Sequence, residues 1–198
     1  MARVISLLYV FIFILNVAAC SIKPVKKETL NADKSYADFS GVAAKVGEKA
    51  PDFSLLDGEE KTVSLSDFRE KQAVMLLFYR GEWCPYCMDQ LSNYQALLPE
   101  LKKHNIQLLA ISPDNISAVQ NTQRRFGQSY IFLSDKNLQV TQLYGIGSVK
   151  NLPHPALFLI SKEGVLEWYY ASTDHVVRPA SDQVEKIINK IFNRQVVK

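Results

Sequence analysis

Three cysteines occur among the 198 residues, at positions 20, 84 and 87. Cys84 and Cys87 stand three apart in the stretch FYRGEWCPYC, residues 78–87, directly after an apolar run. Two thiols at that spacing could be a redox couple, half of a zinc site or a structural staple. Zinc takes about four ligands, and the pair supplies two. His104, His154 and His175 are scattered and show no paired spacing that would supply the rest. Covalent haem attachment needs a histidine directly after the second cysteine, and Met88 stands there. A staple over so short a loop removes little entropy from the unfolded chain. The redox couple is the strongest reading, with zinc and a plain staple as alternatives. A cysteine just after a strand, at the first turn of a helix, meets backbone N–H groups and a helix dipole that favour the thiolate. Pro85 suits the first helical position, because its missing N–H would be unpaired there. Residues i and i+3 of a helix are neighbours, so the second sulfur reaches the first. The potential of such a disulfide depends mainly on how far the thiolate is stabilised.

The elements that must place this pair can be read along the chain. PDFSLLDGEEKTVSLSDF alternates around Asp57-Gly58 and predicts a hairpin. AVMLLFY, Ala73 to Tyr79, is a continuous apolar run of the kind found in a central strand. A helix is expected from near Cys84 to about His104, with Leu91, Tyr94, Leu98 and Leu101 on one face and a break or kink at Pro99. A strand follows over Ile106 to Ser112, then a helix over about Ser117 to Phe126, a strand over Tyr130 to Leu133 and a short helix near Leu138 to Tyr144. ALFLIS and LEWYYA flank the turn Lys162-Glu163-Gly164 as an antiparallel hairpin. Ser181 is a candidate cap for a last helix to about Asn193, with Asp182 in its first turn. Alternating strands and helices predict an α/β domain with a central sheet covered by helices on both faces, and the terminal hairpin makes that sheet mixed.

The N-terminus reads differently. MARVISLLYVFIFILNVAAC carries one basic residue, then apolar residues from about Val4 to Val17, then small residues, as a secretory signal peptide does. The run is short of the roughly 20 apolar residues of a membrane span. Val17-Ala18-Ala19-Cys20 resembles the bacterial lipobox, in which the cysteine becomes the lipid-bearing first residue of the mature protein. Ordinary cleavage after Ala19 and an uncleaved anchor are the rival readings. Residues 1–19 are thus expected to be a lipoprotein-type signal peptide. Residues 20–45, polar, lysine-rich and non-periodic, are expected to be a flexible tether, and 46–198 the folded domain. A lipidated Cys20 places the domain outside the cytoplasm on a bacterial membrane, where disulfides are tolerated. The formal charge of +3 is spread too thinly for a nucleic-acid groove.

Trp83-Cys84-Pro85-Tyr86-Cys87 resembles the active site of thioredoxin-fold proteins, and its Cys-Pro-Tyr-Cys core resembles that of glutaredoxins. The wider frame resembles the peroxiredoxins (the alkyl hydroperoxide reductase C and thiol-specific antioxidant family). VGEKAPDFSLLDG from Val46, PELKKHNIQLLAIS from Pro99 and HPALFLISKEGVLEWYY from His154 carry that resemblance, which extends from Val46 to about Asn193. It implies a thioredoxin-like fold. Peroxiredoxins carry Pro-x-x-x-Thr-x-x-Cys, whose cysteine attacks peroxide. Here that cysteine falls on Cys87, the threonine on Cys84 and the proline on Arg80, while the family's peroxide-polarising arginine falls near Pro155. Three helper positions are therefore altered. Thioredoxins instead attack with the first cysteine, which would be Cys84, and set a cis-proline opposite the pair, where Pro155 stands. Arg178-Pro179 matches an Arg-Pro that peroxiredoxin-like relatives often show before the last helix.

Together these readings imply a thiol-dependent oxidoreductase that reduces hydroperoxides through a reversible Cys84–Cys87 couple. A protein disulfide reductase and a redox-inert binding module on the same fold are the alternatives. Trp83 as a shield for the pair, Arg80 and Arg178 as thiolate supports, and Pro155 are the supporting candidates. Glu82 is either a proton shuttle or a solvated loop acid. No cofactor and no metal are implied; a dithiol reductant, such as a thioredoxin-like domain, is needed to reset the pair.

Overall fold

The computed structural model describes residues 21–195. The signal-peptide and Cys20 readings lie outside them. In chain order the elements are β1 (Lys23–Pro24), β2 (Tyr36–Ala37), β3 (Ser54–Asp57), β4 (Thr62–Ser64), β5 (Ala73–Phe78), α1 (Pro85–Asn93), α2 (Leu98–Lys103) and β6 (Ile106–Ser112). They continue with α3 (Ile116–Phe126), β7 (Tyr130–Ser134), α4 (Gln139–Leu143), β8 (Ala156–Ile160), β9 (Leu166–Ala171), β10 (Val177–Arg178) and α5 (Ser181–Gln195).

One sheet runs in the order β2-β9-β8-β5-β6-β7-β3-β4. β5, β6 and β7 are parallel, whereas β8 is antiparallel to β5 and β9, and β3 is antiparallel to β7 and β4. Every residue of β5 is buried, as a strand covered on both faces requires. Its side chains alternate. Met75 and Leu77 join a core with Leu108, Ala110, Leu157 and residues of α1, α2, α3 and α5. Val74, Leu76 and Phe78 join another with Leu109, Ile111, Phe158, Val140 of α4 and Tyr144. The expected mixed α/β architecture is therefore present, with β5 at its centre and the Cys-Pro-Tyr-Cys stretch leaving its C-terminal end.

Three expectations are corrected. The long helix to His104 breaks earlier than Pro99: α1 ends at Asn93, Tyr94–Leu97 form a 3-10 turn, and α2 restarts at Leu98. Pro99 falls in the first turn of α2, where its missing N–H costs nothing. Its ring would clash with a carbonyl four residues back, and that tightens the turn before it. The last helix starts at Ser181 itself, and Gln183 Oε1 accepts the Ala180 N–H at its head (2.9 Å).

The largest correction concerns residues 21–45, which are not a free tether but a strap laid on the domain. β1 pairs in parallel with β10, Pro24 opposite Arg178, and β2 pairs in parallel with β9. Val25 is buried in the core beside α5. Asn31 O accepts the Trp168 indole N–H (2.9 Å), and Asp38 accepts from the Ser172 hydroxyl (2.6 Å) and the Thr173 N–H (2.7 Å). Among the described residues no helix is long and apolar enough to cross a membrane.

Candidate active site

Cys84 is the N-cap of α1 and Pro85 follows at the first helical position. The Cys84 carbonyl accepts the N–H groups of Cys87 and Met88, both at 3.0 Å, and its own N–H donates to Gly81 O (3.1 Å). Cys84 and Cys87 form a disulfide with their Cα atoms 5.2 Å apart. Both are buried, at 1% and 0% exposure.

The loop from β5 into α1 is held from β6. Asp114 Oδ2 accepts the Glu82 N–H and the Ser112 hydroxyl, each at 2.9 Å. Burial raises the Asp114 pKa above the usual carboxylate value, and its hydrogen bond from Ser112 offsets part of the rise. Gly81 has φ +141°, and a Cβ there would lie 2.6 Å from the Trp83 indole nitrogen and 2.8 Å from Asp114. Only glycine fits that conformation and that contact. Trp83 is 59% exposed, and the Arg80 guanidinium lies 5.1 Å from its ring centroid, within cation–π range.

Behind the disulfide lies Arg178, with no exposed surface. Its Nη2 donates to Cys87 Sγ (3.4 Å), Nη1 to Gln90 Oε1 (2.7 Å) and Nε to the His175 carbonyl (3.1 Å). Tyr94 accepts from Gln90 Nε2 (3.2 Å) and donates to Pro179 O (2.9 Å). His175 sets its ring edge-on to Tyr86, with centroids 5.8 Å apart. The segment before α5 therefore wraps the first turn of α1. Among the described residues Arg178 has no carboxylate within salt-bridge distance. Burial lowers its pKa to about 10, so it stays charged at neutral pH. Burial likewise pushes the Tyr170 phenol up to about 12 and raises that of Tyr94.

Of the residues expected at the site, Cys84, Cys87 and Arg178 meet directly. Arg80 lies on Trp83 rather than on sulfur, although it is near enough to Arg178 to help depress its pKa. Trp83 is a surface residue, not a core one. Pro155 is buried at the start of β8, next to Ala156, which pairs with Phe78 at the end of β5 that leads to the cysteines. No peptide bond among the described residues is cis, so the cis-proline comparison does not hold for Pro155. Gln90, Tyr94 and Asp114 were not anticipated. A readable signal existed for Gln90: it is a polar residue on the helix face that carries Cys87, Leu91 and Tyr94.

A cysteine pair across the first turn of the helix that follows the central strand of a mixed, helix-covered sheet defines a thioredoxin-fold dithiol protein. Within that class, the chain belongs to the AhpC/TSA family, whose model matches residues 46–169. It is 35% identical over 132 residues to the thiol-disulfide oxidoreductase ResA of Geobacillus thermodenitrificans, covering 65% of this chain and 72% of that protein. It is 31% identical, also over 132 residues, to a Coxiella burnetii protein that carries the peroxiredoxin name bcp, covering 63% and 87%. The crystal structure of the reduced 2-Cys peroxiredoxin of Plasmodium vivax shares the fold, with a TM-score of 0.67 and 22% identity over 76% of this chain and 98% of that one. Arg178 and the strap both lie outside the family-matched span.

Proposed function

We propose that the protein is a thiol-dependent hydroperoxide reductase that cycles between the Cys84–Cys87 disulfide and dithiol. The observation that carries this reading is the buried disulfide at the head of α1 with a buried guanidinium on Cys87 Sγ. Cys84 and Cys87 are its catalytic pair and Arg178 its thiolate support. Arg80 and Trp83 form the outer rim of the site, and Pro155 backs it from β8. The helper threonine, proline and arginine of peroxiredoxins are replaced here by Cys84, Arg80 and Pro155. A dithiol reductant, such as a thioredoxin-like domain, resets the disulfide.

A second reading, reduction of protein disulfides, is favoured by the identity with ResA proteins and by Trp83, which offers a large exposed ring beside the pair. One experiment separates the two. The reduced full chain is given one equivalent of hydrogen peroxide, and disulfide formation is followed by mass and intrinsic fluorescence for wild type, Cys84→Ser and Cys87→Ser. Oxidation far faster than that of a free thiol, with sulfenic acid trapped in a single-cysteine variant, supports the peroxidase. Oxidation at the free-thiol rate, with Cys87→Ser trapping mixed disulfides through Cys84, assigns a disulfide reductase. If replacing both cysteines leaves the cellular function untouched, the domain is a binding module.

The same reading places the domain outside the cytoplasm, exported by a lipoprotein-type signal peptide ending at Ala19 and anchored through lipid on Cys20. Mass spectrometry of the mature N-terminal peptide tests it: a diacylglyceryl-modified Cys20 is expected, and an unmodified one removes the anchor.

A further inference from the structure

The strap begins beside the active site. The Ile22 N–H donates to Asp89 Oδ2 of α1 (2.7 Å), and the Lys23 N–H donates to Val176 O (3.1 Å). Asp89 stands two positions after Cys87 and is the i+3 neighbour of Tyr86 on the same helix. Tyr86 in turn meets His175 edge-on. The strap therefore enters the fold between α1 and β10, next to the turn of helix that carries the disulfide. This matters for an anchor at residue 20. A free tether of residues 21–45 would let the domain wander roughly 25–30 Å from the membrane on average. Two residues of chain reach at most about 7 Å. That is close to the depth of one headgroup layer, about 5–8 Å. A lipid carried two positions before Ile22 is thus tied to the active-site end of α1.

We propose that the docked strap holds the face around Cys84 and Cys87 on the anionic lipid surface that carries the anchor, with Trp83 among the headgroups. This orientation rests on the Cys20 anchor proposed above. The chemistry of the face suits that partner. Trp83, at the head of α1, is 59% exposed with the Arg80 guanidinium over its ring. An amphipathic ring and a cation fit a headgroup layer, where one end of the side chain is apolar and the other wet. On the strap, Lys23, Lys26 and Lys27 are exposed, and Glu28 is the one acid among residues 21–30. Exposed lysines next to an anchor are drawn to anionic lipid. Acids are present on the same face, but two of the three are engaged. Asp89 accepts the Ile22 N–H, and Asp174 accepts those of Val176 and Val177 and feels Lys23 as a neighbouring charge. Glu82 is the third, and its side chain is half-buried. The pair is then approached along the membrane rather than from open solution.

The test reads Trp83 directly. The chain has two tryptophans, and Trp168 is 1% exposed, so a Trp83→Phe chain supplies the background emission. In the oxidised protein Cys84 and Cys87 are joined, which leaves Cys20 as the one free thiol of the three. The mature chain, residues 20–198, is coupled through Cys20 to maleimide-bearing phosphatidylethanolamine in vesicles of phosphatidylethanolamine and phosphatidylglycerol. The same chain capped with N-ethylmaleimide is the free reference. Anchoring should lower acrylamide quenching of Trp83 at least threefold, and a headgroup spin-labelled lipid should quench its emission. Equal acrylamide access with no spin-label quenching overturns the orientation, and a protein partner at the membrane then becomes the better candidate for this face. A second chain carries ten Gly and Ser residues inserted between Cys20 and Ser21. It should regain at least half of the lost acrylamide access, and unchanged protection would overturn the short leash. The anchor itself is read separately. An unmodified Cys20 in the cellular protein defeats the anchor and this orientation with it, whereas an open Trp83 on chains known to be coupled defeats the orientation alone.

Discussion

Gln90 holds one arm of Arg178 and donates to the Tyr94 hydroxyl, which in turn donates to Pro179 O. This short chain of buried bonds fixes the guanidinium from the helix side and the residue after it from the backbone side. Removing the Tyr94 hydroxyl strands a carbonyl and an amide hydrogen in a site without exposed surface. Tyr94→Phe should therefore cost about 1–3 kcal/mol, the usual penalty for unsatisfied buried polar groups. Urea unfolding of the two proteins measures it, and a difference within error would mean that the bonds are dispensable. The two thiols were legible from their spacing and their place after an apolar run. The role of Arg178 was legible only as a candidate, because its contact with Cys87 joins residues 91 positions apart. No local pattern encodes such a pairing.

At the level of elements, the apolar runs of β5, β6 and β8 announced themselves, because strands buried on both faces are continuous in hydrophobicity. The hairpins and α3 were visible from turn residues and helical spacing. The strap was not. Its packed residues, Val25, Tyr36, Phe39 and Val42, follow no single period and are separated by lysines and acids, so the segment reads as polar linker. Its path is set by the domain instead. Gly145, at φ +68°, lies against the strap: a Cβ there would stand 2.7 Å from Ala43 N and closer still to Gly41 O. Both obstacles are backbone, which cannot rotate away. Gly145→Ala should lift residues 41–43 from the turn after α4, break the Ala43 N–H bond to Tyr144 O, and lower stability by at least about 2 kcal/mol, since strain and lost packing add. Hydrogen exchange at Ala43 is the direct reading. Unchanged protection there would show that the strap does not depend on this passage.

For the molecule as a whole, the family-matched span ends at residue 169, yet the site is completed from outside it. The C-terminal segment delivers Arg178, and the N-terminal strap holds that segment through the β1–β10 pairing and the bond from Gln183 Nε2 to Val25 O (2.6 Å). Removing residues 21–45 should thus do two things. It should lower stability by roughly 3–5 kcal/mol, from the loss of Val25 burial and several hydrogen bonds. It should also loosen β10 and weaken the thiolate, seen as a higher apparent pKa at 240 nm. A shortened protein with the stability and thiol titration of the full one would show that the strap is passive.

The pairing of β1 with β10 also has a meaning in time. The chain is made from its N-terminus, so the strand that braces Arg178 exists long before the residue it braces. Synthesis runs at about 5–20 residues per second, and the thiols are finished well ahead of β10 and α5. A nascent or prematurely ended chain then carries both sulfurs without the guanidinium that contacts Cys87 Sγ in the finished fold. Completion of β10 and α5 is what brings the guanidinium onto Cys87 Sγ.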